Sequence, residues 1–442
     1  MNLKNISEQT IVITGVTSGI GLTTARMAAE KGAKLVLVAR NEDALRELTD
    51  EINSSGGQAI YVVADVADEN ALRQAAEKAK EEFGGFDTWI NNAGGSIYGR
   101  IADVPTEDLR RLFETNVWGV VNGSKIAVEH LREKGGALIN LGSEVSIAPI
   151  PLQGMYSASK HAVKGFTDAL RMEVEGDELP ISVSLIKPTA IHTPFPENAK
   201  NYLPYKPQLP PPLYAPELVA EAILHCAETP TREFFVGGMA KAHASMAQNM
   251  PKLYEKMNEL LIDSMQNSGE AAQSNGANGL YETNSKLHER GAEDRFVIEH
   301  SVYQQSKLHP LVTGALAIGG GIALAAFFGL RKTKSGDNGG DGNGKSQKQN
   351  FDGKIREHTE VVGADGHHVG TVDHVEGDMI RLRKNDANAA GVHHEILLSW
   401  VETVETDAVR LNKPAREAIE EWQIDEKDMA DFQNSLENTA NG

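Results

Sequence analysis

The sequence predicts an α/β fold: a doubly wound parallel sheet, followed by a small β-rich C-terminal domain. Three observations lead there. Short apolar runs that read as strands alternate with helical stretches from residue 10 to residue 186, the pattern of a parallel sheet wound on both faces. The first run leads directly into a glycine-rich turn and then a helix. Beyond residue 350 the long helical stretches give way to short alternating segments divided by turns.

Composition sets the outer bounds. A chain of 442 residues is expected to hold two or more domains. Its formal net charge of -19 argues against nucleic acid as a partner. Cys226 is the only cysteine, which excludes an intramolecular disulfide and a cysteine-based metal cluster. Residues 1–10 are polar and a strand follows almost at once, so no signal peptide is read there.

Taken in order, residues 10–14 (Thr-Ile-Val-Ile-Thr) form a short buried strand. Gly15, Gly19 and Gly21 follow, and a helical run covers 22–31. Glycine permits a tight turn and close backbone approach, and the helix start offers N–H groups to a pyrophosphate. Gly15, Thr17, Ser18, Gly19, Ile20 and Gly21 are therefore candidate dinucleotide contacts. A second strand, 34–39, ends at Arg40. An acidic residue there would bind a ribose diol; a basic one suits a 2′-phosphate, with Thr17 and Asn41 adding hydrogen bonds. This points to NADP(H) over NAD(H). The competing account is that Arg40 pairs with a nearby acid such as Glu42. A third strand, 60–64, ends at Asp65 and Val66, placed to meet an adenine edge. A helix over 69–83 and a strand over 88–90 lead into Asn91-Asn92-Ala93-Gly94. Residues 106–133 read as one helix, 137–141 as the fifth strand, and 181–186 as the sixth.

Ser143 lies just beyond the fifth strand, and Tyr156-Ser157-Ala158-Ser159-Lys160 opens the next helix, which runs to about residue 175. Lys160 then sits one turn along the same face as Tyr156. An ammonium beside a phenol favours the phenolate, so Tyr156 is expected to titrate below its model value of about 10. Such a tyrosine can give a proton to a carbonyl oxygen or take one from an alcohol, with Ser143 holding the same oxygen. For the isolated pentapeptide an ordinary surface helix pair is the plainer account; the chain upstream weighs against it.

Together, residues 14–21, 91–94, Asn116, Ser143 and the Tyr156/Lys160 pair resemble the short-chain dehydrogenase/reductases, over roughly residues 8–240. The resemblance implies a Rossmann-type sheet and an oxidoreductase acting on CH–OH, with a catalytic tetrad of Asn116, Ser143, Tyr156 and Lys160. It implies that Lys160 also binds the nicotinamide ribose, that Asn116 holds a relay water, and that Asn92, Ala93 and Gly94 border the cofactor. Thr193 matches a family threonine that contacts the carboxamide or pyrophosphate. Thr189 departs from the pattern, because it stands where the family has glycine. In the family, residues 194–216 form a substrate lid; here they are rich in proline and aromatics, which suggests a fairly apolar carbonyl or alcohol substrate. A packed loop with no substrate role is the alternative. The family also implies a homo-oligomer built on helices 106–133 and 156–175, and a cytoplasmic NADPH pool for the catalytic domain. The rival from another class is a non-catalytic NADPH-binding scaffold or sensor acting through its C-terminal domain.

The remainder divides by composition. Residues 241–265 are a Met-rich helical extension, so that residues 1–265 form the reductase domain. Residues 266–308 read as a polar linker. An uncharged run over 311–330 has the length to span a bilayer, giving a single-span segment at 309–331; Gly321, Ala325 and Gly329 have the spacing of a self-associating helix. A buried hairpin is the alternative, since Gly319-Gly320-Gly321 makes a poor helix centre. Basic residues after the run would keep its C-terminal side in the cytoplasm, in conflict with a cytoplasmic N-terminal domain. Residues 332–350 are a Gly-rich linker, 351–412 a small β unit and 413–442 an acidic helical tail. Gly363-Ala364-Asp365-Gly366, Gly370-Thr371-Val372-Asp373, Ile380-Arg381-Leu382 and His393-His394-Glu395-Ile396 resemble the PRC-barrel-like domains. With no cysteine nearby and no helical HxxxH, the histidines here do not suggest metal.

Overall fold

The computed structural model describes residues 2–304 and 355–424, apart from 273–277, 284–286, 293–294, 302–303, 377–378, 387–392 and 406–407. The chain divides into two compact units, Met1–Thr333 and Lys334–Gly442, each taken by itself here.

In the first unit β1 (Thr10–Thr14), α1 (Gly19–Glu30), β2 (Lys34–Ala39), α2 (Glu42–Ser54), β3 (Gln58–Val63), α3 (Glu69–Phe83) and β4 (Thr88–Asn91) alternate. A short β5 (Ile97–Tyr98) precedes α4 (Thr106–Phe113), a π-helical turn (Glu114–Trp118) and α5 (Gly119–Leu131). β6 (Gly136–Leu141), α6 (Gly154–Gly176) and β7 (Ile181–Pro188) follow. Residues 195–214 hold α7 (Phe195–Asn198), β8 (Lys200–Asn201), β9 (Tyr205–Pro207) and β10 (Leu213–Tyr214), and α8 (Pro216–Glu228) leads to β11 (Glu233–Val236). The six expected strands gain a seventh, giving a parallel sheet in the order β11-β7-β6-β4-β1-β2-β3. The order reverses between β1 and β4, which opens a crevice at the carboxyl ends of those strands.

Strand alternation decides which face each side chain serves. Ile11, Ile13, Leu35 and Leu37 join the core under α1 and α8 with Leu22 and Ile223. Val12, Val36, Val38 and Trp89 join the opposite core with Leu72, Ile126 and Val174. Each fully buried Leu or Ile contributes about 1.5–3 kcal/mol. With helices on both faces the central strands read as unbroken apolar runs, and all five residues of β1 are buried.

Two expectations about helices are corrected. Residues 106–133 are not one regular helix, because the π-helical turn interrupts them at Asn116. The Met-rich extension is two helices, α9 (Gly238–Asn249) and α10 (Pro251–Gln266), divided where proline opens the second and cannot continue the first.

The stretch read as a polar linker is also corrected over its described part. β12 (Asn267–Ala271) pairs antiparallel with β9, and β13 (Val297–Ile298) pairs parallel with β10. Leu280 is buried against Ile97, Val104 and Leu112. Low apolar content suggested a linker, but ladder hydrogen bonds join main chains and need no apolar side chains. Residues 311–330 and 332–350 lie outside the described residues; among the described residues no helix is long and apolar enough to cross a membrane.

The second unit is a small β domain. β14 (Glu360–Val362), β15 (His368–Glu376), β16 (Met379–Leu382), β17 (His394–Leu397), β18 (Val401–Val404), β19 (Ala408–Leu411) and β20 (Gln423–Ile424) form one sheet in the order β18-β19-β14-β15-β16-β17-β20. Val361, Val369, Val372, Ile380, Ile396 and Val409 fill its core. Of the expected acidic helical tail, the described part holds α11 (Ala415–Glu421), after which β20 returns to pair with β17. Trp422 anchors that return by stacking on His394, with ring centroids 4.0 Å apart. Residues 425–442 lie outside the described residues.

Candidate active site

The crevice holds a cavity of about 300 Å³. It is lined by Gly15, Thr17, Ser18, Gly19, Ile20 and Gly21 from the first turn, and by Arg40, Asn41, Asp65 and Val66 from the ends of β2 and β3. Asn92, Ala93 and Gly94 after β4, Ser143 after β6, Tyr156 and Lys160 on α6, and Thr193 complete the wall. Every site residue expected from the sequence except Asn116 reaches this one cavity.

The first turn is fixed by its neighbours. Gly15 has φ +72°, and a Cβ at Gly21 would fall 2.1 Å from the Gly15 carbonyl oxygen, so both positions require glycine. Asn92 Nδ2 donates to the carbonyls of Thr14 at 2.9 Å and Gly15 at 3.0 Å. Thr14 Oγ1 accepts from the amides of Asn92 and Ala93. Such a backbone cradle at a helix start fits a pyrophosphate. Behind it lies a buried network that sequence reading missed. Asn91 Nδ2 donates to Asn140 Oδ1 at 2.8 Å, and Asn140 Nδ2 to Thr167 Oγ1 at 3.0 Å. The available signal was an asparagine closing β4 and another inside the otherwise apolar β6.

At the end of the cavity near α6, Lys160 Nζ donates to the Leu141 carbonyl at 2.7 Å and lies 5.9 Å from the Tyr156 ring centre. Burial pushes Lys160 down to about 8. Burial likewise pushes the Tyr156 phenol up to about 12, opposed by a hydrogen bond with Ser143 and reinforced by the charge of Glu144. The expected lowering of Tyr156 by Lys160 is thus not what the chain alone provides. The ammonium is aimed at the Leu141 carbonyl, and removing the phenolate from water is the dominant effect on Tyr156. Phe195 packs against Tyr156, with centroids 5.4 Å apart.

Asn116 sits behind the wall and is fully buried. Its Nδ2 donates to the Gly95 carbonyl and to Ser159 Oγ, both at 3.0 Å, and its Oδ1 accepts from the Gly95 amide at 2.9 Å. The side chain is thus engaged by Gly95 and Ser159.

Two further residues went unread in the sequence. Glu144 accepts from Thr189 Oγ1 at 3.0 Å, and its Oε2 lies 3.1 Å from His243 Nδ1 on α9. The hydrogen bond to Glu144 raises the His243 pKa. Thr189, the departure from the family pattern, is what supplies Glu144 with a donor that glycine lacks.

At the far end Arg40 donates to the carbonyls of Gly279 at 2.6 Å and of Leu280 and Glu282 at 3.0 Å. Asn41 Nδ2 donates to Thr283 Oγ1 at 3.2 Å. Asp65 pairs with Arg111, and its Oδ1 accepts from the Ala67 amide at 3.0 Å. The pairing of Arg40 with Glu42, weighed above, does not occur among the described contacts.

Comparison with known proteins agrees with this geometry. Residues 9–202 match the short chain dehydrogenase family model, and residues 355–419 match an uncharacterized family conserved in bacteria, DUF2171. The second match supports a small β domain of that uncharacterized family in place of the PRC-barrel-like reading. An uncharacterized oxidoreductase of Bacillus subtilis, YxnA, is 43% identical over 329 residues, covering 74% of this chain and 92% of the relative. The putative oxidoreductase SadH of Mycobacterium tuberculosis is 30% identical over 264 residues, 58% of this chain and 95% of that protein. A crystal structure of a short-chain dehydrogenase/reductase from Burkholderia phymatum, in complex with NAD, superposes with a TM-score of 0.51 at 23% identity, over 57% of this chain and 96% of that one. The chain belongs to the short-chain dehydrogenase/reductase family, oxidoreductases that bind NAD or NADP and act on small molecules at a CH–OH group.

Proposed function

We propose that the protein is an NADPH-dependent oxidoreductase that interconverts a carbonyl and an alcohol, with Tyr156 as the general acid/base. The observation that carries this reading is the convergence of Ser143, Tyr156 and Lys160 on the cavity that also contains the Gly15–Gly21 turn. The nicotinamide, when bound, supplies or accepts the hydride. Ser143 donates to the substrate oxygen, and Tyr156 gives that oxygen its proton in reduction or removes it in oxidation. Lys160 orients the ribose and stands beside the Tyr156 ring. Asn116 has a positioning part, because it ties Gly95 to Ser159, the residue next to Lys160. Thr193 and the amides of the first turn hold the phosphates and carboxamide. Asp65 and Val66 border the adenine.

Arg40 supports the preference for NADP(H), since it is the cation at the end of β2. Ile150, Phe195, Leu209 and Pro210 line the substrate end, which supports a fairly apolar carbonyl or alcohol. A cytoplasmic catalytic domain, a homo-oligomeric assembly and attachment to a membrane by a single span at 309–331 complete the proposal.

Tyr156→Phe tests it, because it removes the proton and keeps the ring. Turnover on an aldehyde or ketone found by screening for NADPH consumption should fall by on the order of 10² to 10⁴, with NADPH binding retained. Unchanged turnover would sink the mechanism. Binding of NADPH without turnover on a broad panel would favour the non-catalytic scaffold.

A further inference from the structure

The described parts of the segment 278–292 run along the dinucleotide cleft. The Gly19 amide, at the start of α1, donates to the His288 carbonyl at 2.8 Å. Gly279, Leu280, Glu282 and Thr283 line the cavity beside Arg40 and Asn41. The segment is anchored on both sides. Leu280 is 3% exposed, the Gly279 amide donates to the Asn198 carbonyl at 2.9 Å, and Tyr281 Oη donates to Asp108 Oδ1 at 2.8 Å. Arg111, itself paired with Asp65, donates to the Leu280 carbonyl at 3.0 Å. The segment itself lies beyond residues 9–202, which the short chain dehydrogenase family model matches.

We infer that this segment competes with the coenzyme's 2′-phosphate for Arg40 and so sets the strength of coenzyme preference. The inference rests on the reading of Arg40 as the 2′-phosphate partner. Arg40 gives its N–H groups to three neutral carbonyl oxygens. A phosphate oxygen makes a stronger, charge-assisted bond, so NADPH can take the guanidinium from them. It must give up those three bonds to do so, and the displaced carbonyl dipoles face the incoming dianion. NADH has a hydroxyl at the same position and makes no comparable demand on Arg40. The contact at the Gly19 amide stands before the pyrophosphate of either coenzyme and does not discriminate. The segment therefore weakens NADPH binding selectively, and the preference is smaller than Arg40 alone would give.

Two variants of the full chain loosen the segment without touching Arg40. A Cβ at Gly279 would fall 2.1 Å from the Asn198 carbonyl oxygen, so Gly279→Ala pushes the segment away. Tyr281→Phe removes only the anchor to Asp108. Dissociation constants for NADPH and NADH are measured on each. In Gly279→Ala the constant for NADPH should fall by on the order of tenfold, with that for NADH changing much less. Tyr281→Phe should give a smaller shift in the same direction. Weaker NADPH binding in both variants would overturn the inference and leave the segment a supporting wall. If the wild type favours NADPH and the ratio of the two constants is unchanged in both variants, the inference alone fails. If the wild type favours NADH and Arg40→Asp has no effect, the reading of Arg40 falls and takes the inference with it.

Discussion

Arg40 concentrates the question of coenzyme choice in one side chain. On the proposed reading, Arg40→Asp removes a phosphate partner and adds a repulsive charge, so it acts twice against NADPH. The ratio of kcat/KM for NADPH to that for NADH should fall by on the order of 10- to 100-fold, measured with one carbonyl substrate at fixed pH. A wild-type enzyme that already favours NADH would refute the claim. The sequence named Arg40 because a cation at the end of the second strand is visible as a letter. It did not reveal the carbonyls that Arg40 meets, since these come from about 240 residues downstream. The same division holds at the catalytic end. Tyr156 and Lys160 were legible as neighbours one helical turn apart, but their electrostatics were not. The balance between burial and attraction depends on where each head group points, and Lys160 points at Leu141.

Among the elements, those with a strong period were the legible ones. β1 and its glycine turn, and the amphipathic α3, were read within a few residues. The π-helical turn at Asn116 was not, because one inserted residue leaves the apolar pattern on either side intact. β12 was missed because Asn267–Ala271 holds its place by main-chain bonds to β9. The link between α9 and the catalytic loop was invisible for another reason: His243 and Glu144 are 99 residues apart. That link makes a pH prediction. His243 has a folded pKa raised above its unfolded value of about 6.5, owing to Glu144. Its stabilising effect is complete below the unfolded value and is lost as pH rises through the folded one. His243→Gln should therefore cost about 1 kcal/mol at pH 6, a shift of roughly 2–4 °C in Tm, and much less at pH 9. Thermal unfolding of both proteins at the two pH values decides it. Equal losses at pH 6 and pH 9 would mean that the ion pair contributes nothing and only packing is lost.

For the whole molecule, the parallel doubly wound sheet was predictable, and the assembly is the open consequence. Trp118, in the π-helical turn, is 53% exposed, and Met172, on α6, is 65% exposed. Large apolar side chains left in water on the two helical stretches expected to carry the oligomer support a contact there. Trp118→Asp should then lower the mass measured by light scattering, and an unchanged mass would remove this face from the interface. Assembly bears on the last prediction, which concerns location. The apolar run over 311–330 carries no charge and has a length suited to a bilayer. It follows a well-anchored stretch, for Gln304 is buried and its Nε2 donates to the Leu218 carbonyl at 2.7 Å. An oligomer would present several such runs on one particle, and several weak attachments reinforce one another through effective concentration. A chain ending after Gln304 keeps the anchored part and loses the run. On the single-span reading, cells making the full chain retain it in the high-speed pellet until detergent is added, while the shortened chain stays in the supernatant. If the full chain is also found in the supernatant without detergent, the span is excluded, and the apolar runs must be covered by protein, most simply by one another within the oligomer.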